Sequence, residues 1–417
     1  MPTIAAATRL NLPEIYAFYN ELVFATSANK WSINKGDGQL GTDCSYFQKG
    51  SFECNGVKFS VDQNFLCQRL GDNAFRCHFV GSELGRGSFA QVYPVEAVVD
   101  VTPASYEPCG GYAQKMVIKQ QCHCNCSDQL DLACKLCNSI DNLKAEYLVS
   151  CKVPYLEMQQ PQVVRKNEIT TSYTVMAEMP GTQFFNILQK DHDKSCVLTL
   201  EQRMELTLKL YKALQEISNL GIIHRDLKPE NIMVTMNPIG VKFVDYGFAK
   251  TIPDGKNKIK VEDFSGTPSY ISPEMLKVTK SISSAADLYS LTRVLLILWG
   301  AIDHSFDGEL SKHMFFMKKV DKLQYLLKKI PENQDADLRK FDLIKDIRRL
   351  FSQGLDTNVN FRVTVEDAVK TFEAIYLKYK AATQIDNMPL DFTSHAAEEE
   401  VEEDDDDNDY FRRCAIL

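Results

Sequence analysis

The pattern of apolar and polar residues changes in character along the chain. In the first part, short apolar runs alternate with turn signals: SFECNGVKFS carries two runs around an Asn55-Gly56 turn, and AFRCHFV and KMVIK have the composition of further strands. Beyond residue 200, apolar residues recur every three or four positions in LEQRMELTLKLYKALQEISNL and AADLYSLTRVLLILW, which is typical of helices. This order predicts an α+β fold in which a β-rich lobe precedes a helical lobe.

The two ends of the chain differ from the middle. The segment LNLPEIYAFYNELVFA predicts an amphipathic helix within an N-terminal extension, residues 1–75, that also holds short strands. The acidic C-terminal tail, residues 379–417, cannot bury a core, so we expect it to be disordered and flexible. Between them, residues 76–378 form the predicted main domain, with its β-rich lobe ending near residue 176 and its helical lobe starting near residue 180.

Charge is concentrated in the tail. Glu398 to Asp409 carries ten carboxylates and is followed by Arg412 and Arg413, so residues 398–417 hold a net −8 of the total −9 and the rest of the chain is near −1. A near-neutral body argues against a nucleic-acid partner, which would favour a basic face. The chain has no apolar run long enough for a membrane span or a signal peptide, so we expect a cytoplasmic or nuclear protein whose thirteen cysteines are mostly reduced.

A glycine-rich loop follows the first predicted strands. Its glycines, Gly85 and Gly87, let the backbone approach phosphate oxygens, and a strand ending in Lys119 comes next, where an ammonium can contact a nucleotide's phosphates. A buried ammonium needs an anionic partner to stay charged, and Glu146 in the helical stretch DNLKAEYLV is the predicted partner, with Glu157 as the alternative. The predicted loop comprises Leu84, Gly85, Arg86, Gly87, Ser88, Phe89, Ala90, Gln91 and Val92.

The string IIHRDLKPEN, residues 222–231, is the most specific motif in the chain. Phosphoryl transfer requires positioning, charge neutralisation and an acceptor for the proton of the attacking hydroxyl. Asp226 fits the acceptor, Lys228 can neutralise charge on the moving group, and Asn231 offers a neutral oxygen to a hard Mg²⁺ ion. Asp245, at the end of the predicted strand VKFVD, can bridge to phosphates through metal. We therefore predict a single reaction centre.

Taken in order, these motifs resemble the eukaryotic-type protein kinase family over about residues 80–375. The resemblance implies a two-lobed kinase fold that uses ATP and Mg²⁺ on protein substrates, and Lys228 with the GTP string implies Ser/Thr specificity. SYTVMAEMPG resembles the hinge between the lobes, which implies Met176 at the back of the adenine pocket and backbone hydrogen bonds from Glu178 and Met179. The implied catalytic residues are Lys119, Glu146, Asp226 and Lys228, and the implied metal ligands are Asn231 and Asp245.

Two later landmarks and one departure complete the resemblance. GTPSYISPE resembles the end of the activation segment and implies an ion pair between Glu274 and Arg362, while Asp287 resembles the helix aspartate that steadies the catalytic loop. The phenylalanine that usually follows the metal-binding aspartate is Tyr246 here. A buried tyrosine hydroxyl needs a hydrogen-bond partner, so the balance of active and inactive positions of this segment should differ from that of relatives.

The regulatory residues predicted from the resemblance are Arg225, Asp263 and Thr267. An arginine before the catalytic aspartate normally needs an anion on the activation segment, often a phosphorylated residue. This chain has Asp263 four residues before Thr267, and we hypothesise that Asp263, with Glu262, supplies part of that charge permanently. The alternative is that Asp263 is a solvated loop carboxylate.

A cysteine-rich stretch, CHCNCSDQLDLACKLC, lies between the Lys119 strand and the Glu146 helix. Thiolates and imidazole suit Zn²⁺, but only the last pair of cysteines has the common CxxC spacing. Zinc binding and an unliganded, redox-sensitive surface loop therefore both stay open. The residues concerned are Cys122, His123, Cys124, Cys126, Cys134 and Cys137.

The last four residues, Cys414 to Leu417, form a C-a-a-X box whose leucine favours geranylgeranylation of Cys414. One prenyl chain anchors weakly, and the upstream carboxylates are repelled by anionic lipid. We therefore expect any peripheral membrane attachment to be reversible. The alternative is a plain acidic tail that binds a basic protein.

Two other classes of function compete with a protein kinase. A pseudokinase scaffold would act through residues 1–75 and the acidic tail, but the complete set of catalytic residues argues against it. A kinase of small molecules would have little use for the activation segment and for Arg362. Within the protein kinases, LGRGSFAQVY, QKMVIK and GTQFFNIL are similar to the Bub-type mitotic checkpoint kinases, whereas the HRD string follows the general family pattern.

Overall fold

The structure is a computed structural model that describes residues 4–6, 44–54, 57–71, 74–86, 90–102, 106–108, 114–123, 140–166, 169–263, 265–277, 280–301 and 343–386. The predicted N-terminal helix, the loop residues Gly87, Ser88 and Phe89, the segment from Cys124 to Cys137 and the acidic tail with Cys414 lie outside these ranges.

The N-terminal lobe is built on one antiparallel sheet. Its strands run in the spatial order β11-β12-β10-β8-β6-β5-β2, and β7 and β9 both pair with β8. A smaller sheet has the order β1-β4-β3. The strands are β1 (Ile4–Ala6), β2 (Cys44–Phe47), β3 (Gly50–Cys54), β4 (Val57–Val61), β5 (Asn64–Gly71), β6 (Ala74–Val80), β7 (Gly85–Arg86), β8 (Ala90–Val101), β9 (Tyr106–Pro108), β10 (Met116–His123), β11 (Gln162–Lys166) and β12 (Ile169–Ala177).

Two strands of the predicted N-terminal extension, β2 and β5, belong to this large sheet. The sheet curls so that β2 also lies against β11 at the opposite end of the strand order. Tyr46 of β2 stacks on Tyr173 of β12 with ring centroids 4.8 Å apart. Leu66, Ile118 and Val175 pack in the interior, so residues from the extension and from the lobe share one core.

The hairpin predicted around Asn55-Gly56 is confirmed, since β3 and β4 pair with Cys54 opposite Val57. The strands predicted in AFRCHFV and KMVIK are confirmed as β6 and β10. Helix α1 (Ile140–Ser150) follows β10 in the chain order of the described elements, and its buried residues include Leu143, Glu146 and Val149. This packing fixes which side of the helix faces the sheet.

The C-terminal lobe is mainly helical, as predicted. Its longest central helix, α3, begins with a capping box in which Thr199 and Gln202 satisfy each other's backbone N–H groups. The described helices of this lobe are α2 (Phe184–His192), α3 (Leu200–Asn219), α4 (Ser284–Leu298), α5 (Leu343–Gly354) and α6 (Val365–Asp386). Among the residues that the structure describes, no helix combines the length and the apolar character needed to cross a membrane.

Helix α4 is buried along most of its length and forms the centre of this lobe. Trp299, just past its end, is fully buried and donates from Nε1 to the hydroxyl of Thr207 in α3 at 2.9 Å. Three small sheets connect the helices and carry the loops of the candidate site. They comprise β13 (Thr182–Gln183), β15 (Ile232–Met236) and β16 (Ile239–Phe243); β14 (Ile222–Ile223) with β17 (Lys250–Thr251); and β18 (Ile259–Val261) with β19 (Lys280–Ile282).

Candidate active site

Lys119 lies near the middle of β10, where β8 and β12 flank it on both sides and leave its side chain little freedom. Its Nζ atom donates to the Glu146 carboxylate at 2.6 Å and to the Asp245 carboxylate at 3.2 Å. Burial alone would lower the pKa of Lys119, but the negative charges of Asp245 and Glu146 raise that pKa above its ordinary value. The lysine is therefore a fixed cation, and Glu146 rather than Glu157 is the residue that contacts it.

The catalytic loop follows β14, and Asp287 in the first turn of α4 holds its backbone through hydrogen bonds. The carboxylate of Asp287 accepts hydrogen bonds from the backbone N–H groups of His224 at 2.6 Å and Arg225 at 2.8 Å. Asp287 is fully buried, and this burial raises its pKa. Arg225 adopts a left-handed backbone conformation with φ of 70°, which turns the following residue, Asp226, into the cleft.

Asp226 is held by donors on both carboxylate oxygens. Asn231 donates from its amide nitrogen to Oδ2 at 3.1 Å and to the Asp226 carbonyl at 2.9 Å. The Lys228 ammonium lies 3.1 Å from Oδ2. Because the amide hydrogens of Asn231 point to Asp226, its oxygen is the atom that remains to face a metal ion.

Thr267 belongs to this centre, which the sequence analysis did not predict when it assigned the residue to regulation alone. Its backbone N–H and its hydroxyl both donate to Oδ1 of Asp226 at 2.7 Å. Its hydroxyl also accepts a hydrogen bond from the Lys228 ammonium at 3.0 Å. The GTP string that contains Thr267 is the sequence signal for this contact, although by resemblance it implies only Ser/Thr specificity.

Asp245 follows β16 and has a left-handed backbone conformation, with φ of 63°. Its carboxylate is half exposed, and the positive charge of Lys119 lowers its pKa. The next residue, Tyr246, is buried against the His224 ring, with centroids 4.8 Å apart. The hydroxyl partner that Tyr246 requires is Tyr155, whose hydroxyl lies 2.8 Å away and itself donates to the carbonyl of Phe243 at 2.9 Å.

The hinge residues predicted for the nucleotide pocket lie where the two lobes join. Met176 is on β12 opposite Val117, and the partly buried Met179 packs against the cores of both lobes. The N–H of Glu178 donates to the carbonyl of Lys115 at 2.9 Å. That donor is committed to the protein backbone, so the carbonyl is the backbone group of Glu178 that remains for adenine, and the contact itself stays a prediction.

The described part of the glycine-rich loop begins at Leu84, whose N–H donates to the carbonyl of Val92 at 2.8 Å. Gly85 and Arg86 form β7 and pair with Val92 and Gln91 of β8. Within the described part of the chain, a Cβ atom added to Gly85 would meet no atom within 4 Å, so its backbone faces open space there. This is the arrangement that a phosphate group needs for close approach to a backbone.

The activation segment is tied to the lobe at two points. Arg225, whose side chain has no solvent exposure, contacts the Asp263 carboxylate at 2.8 Å. Arg362 donates to both carboxylate oxygens of Glu274 at 2.7 and 3.0 Å, which is the ion pair predicted from the sequence. Glu262 is exposed to solvent, and no described ion pair includes it.

Only the first two residues of the cysteine-rich stretch are described. Cys122 is exposed, whereas His123 is buried and its Nε2 atom lies 2.7 Å from the Ser172 hydroxyl. Neighbouring strand residues point to opposite faces, so these two side chains do not converge on one ion. Among the described residues, no group of three potential metal ligands was found.

The arrangement defines a class of protein. A paired lysine, a half-exposed carboxylate, an amide oxygen and an anchored aspartate converge below an open glycine loop in a cleft between two lobes. This combination of fold and charges is that of a protein kinase. Asn231 and Asp245 supply the oxygen ligands that Mg²⁺ prefers, so the residues present fit that ion.

Comparison with known proteins agrees. Residues 79–372 match the protein kinase domain family, and the chain belongs to that family. CBL-interacting protein kinase 2 from Oryza sativa subsp. japonica is 24% identical over 339 residues, which cover 79% of this chain and 66% of that protein. CBL-interacting serine/threonine-protein kinase 18 from Arabidopsis thaliana is 26% identical over 295 residues, covering 70% of this chain and 48% of that protein.

A shorter match is to serine/threonine-protein kinase TIO from Arabidopsis thaliana, which is 33% identical over 132 residues, covering 32% of this chain and 9% of that protein. The chain thus spans between about half and two thirds of the length of the first relatives it matches. The similarity to Bub-type kinases stays a prediction.

Proposed function

We propose that this protein is a serine/threonine protein kinase that transfers the γ-phosphoryl group of ATP to hydroxyl groups of protein substrates. The observation that supports it best is the contact of Lys119 with both Glu146 at 2.6 Å and Asp245 at 3.2 Å, close to a firmly held Asp226. Each of these contacts joins residues from different parts of the chain. A scaffold that had lost catalysis would have no need to keep them together.

In the proposed reaction, Lys119 binds the α and β phosphates, and the backbone at Gly85 approaches the phosphate oxygens. The substrate hydroxyl attacks the γ-phosphorus, the bond to the ADP oxygen breaks, and the hydroxyl proton passes to Asp226. Asn231 and Asp245 would hold Mg²⁺, which when bound neutralises phosphate charge. The protein's other contribution is to position the reacting groups, which the hydrogen bonds to Lys119 and Asp226 hold in place.

We also propose a specific role for Lys228, which its contacts with Asp226 and Thr267 support. All the acceptor positions of Asp226 are in use, two by Thr267, one by Asn231 and one by Lys228. Lys228 has the most flexible side chain of these donors. When it turns toward the transferring phosphoryl group, it leaves an acceptor position on Asp226 for the substrate hydroxyl.

The decisive experiment compares wild type with Asp226→Asn in phosphate transfer from ATP and Mg²⁺ to a generic protein substrate. We expect transfer onto Ser or Thr in the wild type and its loss in the variant, with nucleotide binding retained in both. Lys152→Gln, an exposed surface change, is the control. A wild type that binds nucleotide and transfers no phosphate would support a pseudokinase scaffold.

Two properties outside the active site are also proposed. We propose that Cys414 is geranylgeranylated and that this gives reversible attachment to the cytosolic face of a membrane, because the terminal residues match a C-a-a-X box. The protein would otherwise be cytoplasmic or nuclear. Incorporation of a labelled isoprenoid into wild type and its loss in Cys414→Ser would test the modification.

A further inference from the structure

An open groove lies on the activation segment, outside the centre described above. It has a volume of about 840 Å³. Three lysines line it, and its lining contains no carboxylate. The lining residues used here are Lys256, Lys258, Ile259, Lys260 and Ser281, and we call this surface the basic groove.

The local fold points these lysines outward. In β18, Ile259 and Val261 are turned inward, while Lys260 is exposed opposite Ser281 of β19. Lys256 and Lys258 lie in the turn before β18 and are exposed as well. The groove is therefore formed by a short two-stranded ladder and the turn that precedes it, and it carries three exposed cations.

Of the five described carboxylates between residues 245 and 274, three are held in ion pairs with other cations, and Asp254 and Glu262 are exposed to solvent. Asp245 contacts Lys119, Asp263 contacts Arg225, and Glu274 contacts Arg362. In the described part of the chain, the three groove lysines take part in no ion pair. Like charges close together repel each other, which favours an anionic ligand that spans all three.

We propose that the basic groove binds the acidic segment of this chain's own tail, residues 398–409. That segment carries ten carboxylates in twelve residues, while the rest of the protein is near neutral. A polypeptide with such a charge density matches a row of three lysines, and its attachment to the same chain gives it an effective concentration of about millimolar. No other stretch of the sequence has a comparable negative charge.

The length of the chain permits this contact. Eleven residues separate the end of α6 at Asp386 from Glu398, and they can span about 40 Å when extended. The whole stretch to Asp409 can span about 80 Å. A compact domain of the size of this one has a radius of gyration of about 19 Å. These spans are comparable with the dimensions of the catalytic domain, so the acidic segment can reach much of its surface.

The position of the groove suggests what the contact does. Val261 and Ile282, from the two strands that support it, pack in one cluster with Ile271 of the activation segment and with Ile223, just before the catalytic loop. A tail held there lies on the same activation segment that contacts Asp226 through Thr267. It would compete with substrates that carry acidic residues of their own.

Zero-length carbodiimide cross-linking of the full-length chain tests the contact directly, because it joins amines to carboxylates that touch. We expect the acidic segment to be joined to the groove lysines about threefold to tenfold more often than to the exposed control lysines Lys152, Lys190 and Lys209. The preference should disappear in 1 M salt, where the Debye length falls to about 3 Å. Equal yields at the groove and at the control lysines would overturn the proposal.

The experiments distinguish an incorrect groove contact from an incorrect assignment of catalysis. The cross-links should be unchanged in Asp226→Asn, so a catalytically silent protein still tests the groove. In a second arm, replacing the ten tail carboxylates by their amides should lower KM for an acidic peptide about threefold or more. In K256Q/K258Q/K260Q the same replacement should have no further effect, whereas K152Q/K190Q/K209Q should behave as wild type. A tail effect that persists without the groove lysines refutes the site.

Discussion

The contact between Arg225 and Asp263 predicts that the activation segment is ordered before any phosphorylation. The Arg225 side chain is fully buried, and among the described residues Asp263 is the only carboxylate that forms an ion pair with its guanidinium. Burial alone would raise the pKa of Asp263, but its hydrogen bond and charge pairing with Arg225 lower that pKa below the ordinary 3.8. A lowered carboxylate pKa means that the pair is intact at neutral pH and is lost only as the pH falls below about 4.

The exposure of the Asp263 side chain determines how much stability the ordered segment should lose when the ion pair is removed. Removing one partner of a buried ion pair costs about 3–5 kcal/mol. The Asp263 side chain is 52% exposed, so water screens much of the interaction. We therefore expect Asp263→Ala to cost the ordered segment about 1–2 kcal/mol, a factor of about 5–30. Arg225 keeps its hydrogen bond to the carbonyl of Phe248 at 3.2 Å, which limits the loss.

The assay is the initial rate of phosphate transfer by dephosphorylated protein, with mass spectrometry to verify that the activation segment carries no phosphate. Asp263→Ala should lower kcat about 5–30-fold, the range worked out from the exposed ion pair. Glu262→Ala, next to it and exposed, is the matched control and should leave kcat unchanged. If Asp263→Ala and Glu262→Ala are equally active, Asp263 is a solvated loop carboxylate and the reasoning is wrong.

Three further substitutions test how single buried side chains contribute to the stability of the fold. Tyr246→Phe removes the hydroxyl contact with Tyr155 and should lower the free energy of unfolding by about 0.5–1.5 kcal/mol in urea titration; no change would mean that the contact is dispensable. Glu274→Gln leaves Arg362 buried without its carboxylate and should lower the free energy of unfolding, measured in the same way, by about 3–5 kcal/mol. A decrease below about 1 kcal/mol would contradict this expectation. Burial, reinforced by nearby Arg76, lowers the pKa of His78 from 6.5 to about 4, so between these pH values only the unfolded chain gains a proton on this residue. The free energy of unfolding should therefore fall by up to about 1.4 kcal/mol per pH unit as the pH drops from 6.5 to 4. Thermal unfolding at several pH values should show this slope in the wild type and not in His78→Gln.

Much of the site could be predicted because its residues lie in short sequence motifs, each of which forms a single local structure. The proposed proton acceptor, metal ligands and phosphate-binding lysine each belong to a motif whose spacing is set by one loop or strand. Glu146 was predicted as the partner of Lys119 although 27 residues separate them. A buried ammonium needs a carboxylate, and few acidic residues lie on the helix that follows.

What could not be predicted depends on contacts between distant segments that leave no local pattern. Nothing near Tyr155 indicates that it meets Tyr246, which is 91 residues away. The closure of the N-terminal sheet by β2 likewise depends on Tyr46 reaching Tyr173. Side-chain periodicity predicts that a strand has one buried face, but it does not identify the strand or helix that covers it.

Three contacts of the activation segment act on the catalytic loop together. Asp263 contacts the Arg225 side chain, and Thr267 donates twice to Asp226. Between them, Gly266 has φ of 101°, and a Cβ atom on it would lie 2.5 Å from the carbonyl oxygen of Arg225. Only glycine fits such an approach, so the segment lies directly against the catalytic loop. Any shift of residues 263–267 must therefore disturb the proton acceptor, which couples the order of the activation segment to the chemistry.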